Sequence, residues 1–257
     1  MKKLLASAIA LWAAAGYAHQ TVPSYFPLWS PAGRADWSAM CAGMDATGEG
    51  STAIANVDSG PWTQVDPNFV WAIDDCHSAG NNVIGYVHTS YGARAIPDVR
   101  ADIDRWYQFY PTIDGIFFDE VATAPDTTAT GCDPSCATVQ QYYQQLYDKV
   151  HATGGALQND VILNPGTPPQ PPWMFEPPAG DEVVVFEGSA ATYLAWTPPD
   201  WVQLQPATDF VHLVYAVAPR QLSSVRQHAI DTNAEHTYFT DQDMPNPWSK
   251  LSQYWPQ

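Results

Sequence analysis

Basic residues are scarce. The chain of 257 residues holds 10 Lys and Arg against 27 Asp and Glu, a formal net charge of −17. Two of the ten cations, Lys2 and Lys3, and none of the acids fall in the first eighteen residues. Without that segment eight cations face 27 acids, and the net charge is −19. Such a surface repels phosphate backbones and anionic lipid, so nucleic acid and membrane are excluded as partners. A cationic polymer would be drawn to it; solubility alone would also account for the excess acid.

Other absences narrow the field. No GxGxxG follows a strand pattern and no phosphate loop is present, which removes dinucleotide and P-loop chemistry. No run beyond residue 18 is long and apolar enough to span a bilayer. No Gly/Ser-rich or charged linker divides the chain, so one domain and a monomer are expected. Grouped His and Asp ligands are missing. His77, His88, His151, His212, His228 and His236 offer no paired spacing, even if cleavage before His19 freed an amine and an imidazole to chelate copper. No metal and no cofactor are expected.

Cysteines number four: Cys41, Cys76, Cys132 and Cys136. In an exported chain an even count suggests two disulfides. Cys132 and Cys136 bracket the turn-like "DPS", which suits a local bridge and leaves Cys41 with Cys76. Three pairings remain possible on sequence alone.

The export expectation comes from what is present at the N-terminus. "MKKLLASAIALWAAAGYA" has two lysines, an apolar run and small residues, the pattern of a secretory signal cut after Ala18. The run is too short for a resident transmembrane helix. Residues 19–257 then form the mature domain, secreted or periplasmic. Eleven Trp, thirteen Tyr and nine Phe are available for packing and for stacking on sugar faces.

Eight β-rich runs recur along the mature chain: "SYFPLW" from Ser24, "TAIANV" from Thr52, "NVIGYVHTS" from Asn82, "GIFFDE" from Gly115, "DVILNPG" from Asp160, "EVVVFEGS" from Glu182, "FVHLVYAV" from Phe210 and "HTYFTD" from His236. Most are separated by helical patterns. One places Val99, Ile103, Trp106 and Tyr110 at spacings of three and four; another does the same with Val139, Tyr143, Leu146 and Val150. The Pro-rich "NPGTPPQPPWMFEPPAG" cannot be a regular helix, so one crossover is a loop. Eight strands alternating with crossovers in about 250 residues predict an α/β fold, a (β/α)8 TIM barrel. An open doubly wound sheet is the alternative.

In such a barrel the chemistry lies at the C-terminal ends of the strands. Read in order, those ends carry Tyr25, Asn56, Tyr86 and His88, Asp119 and Glu120, Asn164, Glu187, Tyr215 and Asp241. Asp119 and Glu187 would face each other from strands four and six. Two carboxylates across a cleft are the usual apparatus for glycosidic cleavage. Glu120 conflicts with simple alternation, because neighbours on a strand point to opposite faces. The strand must end or bulge there, or one acid plays a supporting part. Tyr25, Asn56, Tyr86, His88, Asn164, Tyr215 and Asp241 are expected to contact substrate. Asn56 would equally serve an Asx turn, and His88 a buried hydrogen bond. Trp29 and Trp173 are further rim aromatics.

The stretches "VPSYFPLW", "NVDSGPW", "VIGYVHTSYGAR", "DIDRWYQFYPTIDGIFFDE", "LNPGT" and "VVVFEGS" resemble the spherulin-4-like family, which includes glycoside hydrolase family 135. The resemblance implies a (β/α)8 barrel and an endo-acting hydrolase of α-1,4-linked galactosamine and N-acetylgalactosamine polymer, a biofilm exopolysaccharide. It also implies Asp119 as nucleophile, Glu187 as general acid/base and Glu120 as their support. The chain departs from the expected "NPNSGPG" by Val57, Asp58 and Trp62. A glycan-binding barrel without catalysis is the competing function, disfavoured because a lectin gains little from buried carboxylates.

Overall fold

The computed structural model describes residues 19–44, 51–134, 136–155 and 158–256. The expected signal segment and its cleavage point lie outside the described residues. Eight parallel strands close in sequence order into a barrel: β1 (His19–Pro23), β2 (Thr52–Ala55), β3 (Asn82–His88), β4 (Gly115–Asp119), β5 (Asp160–Leu163), β6 (Glu182–Ser189), β7 (Phe210–Tyr215) and β8 (His236–Phe239). The open-sheet alternative is thereby removed.

The helices among the described residues are α1 (Pro31–Gly43), α2 (Pro67–Ser78), α3 (Ile96–Phe109), α4 (Val139–Gly154), the single turn α5 (Ala190–Tyr193) and α6 (Leu222–Asp231), and α3 and α4 sit where amphipathic spacing predicts them. Val99, Ile103 and Trp106 of α3 are buried, as are Val139, Tyr143, Leu146 and Val150 of α4. Side chains of Ser30, Asp66 and Thr138 accept first-turn amides of α1, α2 and α4. α4 stops at Gly155, whose φ of 70° suits a residue without Cβ. The Pro-rich segment between β5 and β6 carries no helix, as its composition requires.

The first strand is a correction. "SYFPLW" is not strand; β1 lies just before it, at His19–Pro23, in register with Thr52–Ile54 on one side and with His236–Thr237 on the other. Pro27 has no amide to give a ladder, so residues 24–30 instead form the turn into α1. Tyr25 consequently stands just past the strand's C-terminal end. The closure also brings His19 beside His236, rings stacked at 5.6 Å, a pairing invisible in their spacing along the chain.

Register defines the two faces. Tyr86 is level with Phe117, Phe117 with Ile162, and Ile162 with Glu182, so these share the inward face. Alternation would then send even-numbered residues of β6 inward throughout. It does not, because β6 shifts register between Val184 and Phe186 against Val211 and His212. One extra residue, Val185, reverses the phase. Phe186 turns out to pack with Tyr193 and Trp196, and Glu187 turns in.

On the outer face Trp106 lies so close to β3 that a Cβ on Gly85 would fall 2.4 Å from its ring. The Trp106 indole N–H donates to the Tyr86 carbonyl at 2.9 Å. Two disulfides resolve the three possible pairings: Cys41–Cys76 ties α1 to α2, and Cys132–Cys136 closes a local loop between β4 and α4. Both bonds fit an oxidising compartment. Among the described residues no helix is long and apolar enough to cross a membrane.

Candidate active site

An open cleft of about 370 Å³ lies at the C-terminal mouth of the barrel, lined by Asp119, Glu120, Asn164, Glu187 and Tyr215 together with Tyr91, Pro165, Gly166 and Met244. β4 delivers Asp119 and β6 delivers Glu187. Asn164, one residue past β5, stands between them. Its amide nitrogen donates to Asp119 Oδ1 at 2.9 Å and to Glu187 Oε2 at 2.7 Å. Its Oδ1 accepts the Gly166 amide at 2.9 Å, which leaves both amide hydrogens for the carboxylates. Gly166 has φ 66°, a left-handed position that favours glycine. The two bonds to Asn164 add to 5.6 Å, so the bridged oxygens can be no farther apart than that.

Each acid has further donors. Tyr86 OH donates to Asp119 Oδ2 at 2.8 Å, and the Glu120 backbone amide also bonds this carboxylate. The Trp248 indole donates to Glu187 Oε1 at 3.2 Å. Burial raises the pKa of both acids; for Asp119 the Tyr86, Glu120 amide and Asn164 donors pull back against it. For Glu187 the opposing donors are Asn164 and Trp248, while the charge of Asp119 pushes the same way as burial. Asp119 therefore holds three donors to two, and each acid feels a neighbouring carboxylate, Glu120 for Asp119 and Asp119 for Glu187. The Tyr86 phenol is raised by burial and by Asp119, which keeps its proton available to donate.

The Glu120 problem has a backbone answer. β4 ends at Asp119, and Glu120 takes φ 54°, a left-handed conformation costing a non-glycine residue roughly 1 kcal/mol or more. That turn carries both acids to the cleft. It is clamped: Thr89 Oγ1 donates to the carbonyls of Asp119 (3.0 Å) and Glu120 (2.8 Å), and the Tyr91 amide donates to the Glu120 carbonyl at 2.7 Å. Glu120 Oε2 lies 3.8 Å from His88 Nδ1, an ion-pair distance longer than a hydrogen bond.

The other expected residues divide. Tyr25 packs edge-on against Tyr86, and burial and the charge of Asp119 raise its pKa. Tyr215 packs edge-on against Trp248 at the cleft wall. Asn56 instead accepts the Gly60 amide at 3.0 Å, the turn role. Asp241 accepts the Gln253 amide at 2.9 Å and holds the C-terminal segment. Trp173 is buried with its indole on the Thr123 carbonyl and Trp29 is 80% exposed, and neither lines the cleft. Sequence reasoning passed over Trp248, Gly166, Tyr91 and Met244. Trp248 follows the last strand in a segment without periodicity, where only its indole marked it.

Fold and rim together define a class: a (β/α)8 barrel with paired, bridged carboxylates in an open cleft at the C-terminal ends of its strands. Within that class the chain belongs to the spherulation-specific family 4, Spherulin4, whose family model matches residues 21–257. Spherulin-4 of Physarum polycephalum is 33% identical over 174 residues, 67% of this chain and 47% of that protein. The chain thus spans about half the length of this curated relative. A crystal structure of Aspergillus clavatus Sph3 in complex with GalNAc has the same fold, with a TM-score of 0.70 at 22% identity over 94% of this chain and 95% of that one.

Proposed function

We propose that this protein is an exported, endo-acting glycoside hydrolase that cleaves α-1,4-linked galactosamine and N-acetylgalactosamine polymer with retention of configuration. The carrying observation is the Asn164 bridge. Its two bonds limit the bridged carboxylate oxygens to 5.6 Å apart. Retaining enzymes hold their carboxyl groups about 5–5.5 Å apart and inverting enzymes about 6.5–9.5 Å. The bridge makes the two acids neighbours across one cleft, and retention follows from the family resemblance, which makes Asp119 the nucleophile.

The donor sets support the roles. Asp119, whose three donors oppose burial and the charge of Glu120, attacks the anomeric carbon as the carboxylate. Glu187, raised by burial and by its neighbour's charge, keeps its proton and delivers it to the leaving oxygen. A covalent glycosyl–Asp119 ester results. Glu187, now ionised, takes a proton from water, and the hydroxide equivalent displaces Asp119 from the sugar. Asn164 holds the two acids in one frame through both steps.

The sugar class rests on the family resemblance and on GalNAc being the ligand of the Sph3 crystal structure. A partly deacetylated polymer is cationic, and a net charge near −19 would steer it inward, with screening beyond about 8 Å at physiological salt. The test is incubation with galactosaminoglycan, following oligosaccharides by mass spectrometry and anomeric configuration by NMR. Wild-type protein should release α-configured products, and Asp119→Asn and Glu187→Gln should release none. Wild-type protein inert on every hexosamine polymer would refute the proposal.

A further inference from the structure

The cleft has an aromatic wall that the acids do not explain. Tyr91 lines it beside Glu120, yet its side chain is 63% exposed. An aromatic ring left in water ordinarily needs no account. This one stands on an unusual backbone. Ser90 has φ 50° and Tyr91 φ 56°, two successive non-glycine residues in the left-handed region, each costing on the order of 1 kcal/mol. The strain is held from below. The Thr89 carbonyl accepts the Gly92 and Arg94 amides, and the Thr89 amide donates to the Asp119 carbonyl. Thr89 Oγ1 lies 2.6 Å from the buried Tyr143 hydroxyl. The Tyr91 amide donates to the Glu120 carbonyl at 2.7 Å, which ties the backbones of the two residues together at the cleft. Backbone strain is thus accepted at the point where an exposed ring is presented beside a carboxylate.

The opposite wall has matching character. Tyr215 is braced edge-on by Trp248, and Met244 is 64% exposed at the same rim. Apolar surfaces therefore flank the bridged acids on the β3–β4 side and on the β7–β8 side. This arrangement suits a chain lying across the mouth, with a sugar on each side of the severed bond.

We infer that Tyr91 is the stacking platform of a sugar subsite neighbouring the bridged acids, taking the apolar face of a galacto-configured hexosamine ring while Glu120 accepts hydrogen bonds from its hydroxyl or amino groups. The axial 4-hydroxyl of such a ring leaves C3 to C6 as one continuous apolar face, which a phenol can cover. Glu120, whose Oε2 lies 3.8 Å from His88, is offset enough from its protein partner to meet the sugar edge. This rests on the hydrolase reading above and adds where the polymer extends beyond the reacting sugar.

The test uses full-length protein made inactive by Asp119→Asn or, separately, by Glu187→Gln, titrated calorimetrically with α-1,4-galactosamine oligosaccharides. Tyr91→Gly removes the ring and suits φ 56°, so its melting temperature should not fall; Tyr91→Phe keeps the face and removes the hydroxyl. In either inactive background Tyr91→Gly should weaken oligosaccharide binding about tenfold, and Tyr91→Phe by less than about twofold. Equal affinity with and without the ring overturns the platform while leaving the hydrolase standing. Equal losses for Gly and Phe also overturn it, because the hydroxyl would then be the contact. No binding by either inactive protein, with no products from wild type, overturns both.

Discussion

Replacing Trp248 with Phe should retune the proposed proton donor without touching it. The indole N–H donates to Glu187 Oε1 at 3.2 Å and so favours the carboxylate over the acid. A hydrogen bond to a charged group contributes about 1.5–3 kcal/mol, and the length of this one argues for the lower end. At 1.36 kcal/mol per pKa unit, its loss should raise the Glu187 pKa by about one unit. Trp248's backbone bonds, from its amide to Asn246 and from Tyr25 to its carbonyl, do not depend on the side chain. The Phe ring would still face Tyr215 and Tyr238, though the smaller ring leaves space that should lower stability by about 1–2 kcal/mol. The assay is the pH dependence of kcat/KM. Its alkaline limb, where the donor loses its proton, should move up by about one unit, and its acid limb, set by Asp119, should move much less. Carboxyl-carbon NMR titration of Glu187 supplies the same number without turnover. An alkaline limb that stays put or moves down, in a protein still folded by circular dichroism, would refute this account of the donor.

Asp119→Asn should raise the melting temperature at pH 7. Burial raises the folded-state pKa of Asp119, so the stability linked to its proton is complete below the unfolded pKa and is lost as pH rises; the gain over wild type should vanish near pH 3 in pH-resolved thermal scans. His236 goes the other way: burial and the stacked His19 push it down to about 4, with Glu182 facing His236 and Glu235 facing His19. The unfolded state then binds the extra proton, and roughly 3 kcal/mol of stability should be lost as pH falls from about 6.5 toward 4; His236→Asn should flatten that slope in denaturant titrations. Removing the Cys41–Cys76 bond, which spans 35 residues, should cost about 4 kcal/mol, and removing Cys132–Cys136, which spans four, about 2 kcal/mol; urea melts of the paired Ser variants would check the order.

The barrel was readable because parallel strands buried on both faces make near-continuous apolar runs bounded by amphipathic helices. The same property hid the details. "EVVVF" is apolar whichever face each residue takes, so nothing in it betrays the extra residue that aims Glu187. "SYFPLW" looks β-rich, but a ladder needs the amide that Pro27 lacks, and the strand falls on the more polar "HQTVP" before it. Asp119, Asn164 and Glu187 were legible as polar residues ending apolar strands. Their joint hydrogen-bond frame was not, since it joins residues 45 and 23 positions apart through one amide. Asn56 and Asp241 show the converse, as polar strand ends whose side chains serve local backbone amides.

The reversal of phase in β6 makes the pairing of the two acids depend on a residue with no chemistry of its own. A barrel lacking Val185 could keep every strand and every proton-bearing group, yet present Phe186 to the mouth and turn Glu187 toward the surrounding helices. A frameshift of one position, confined to a stretch of valines, would then separate a barrel whose two acids share one cleft from one of identical topology whose acids do not.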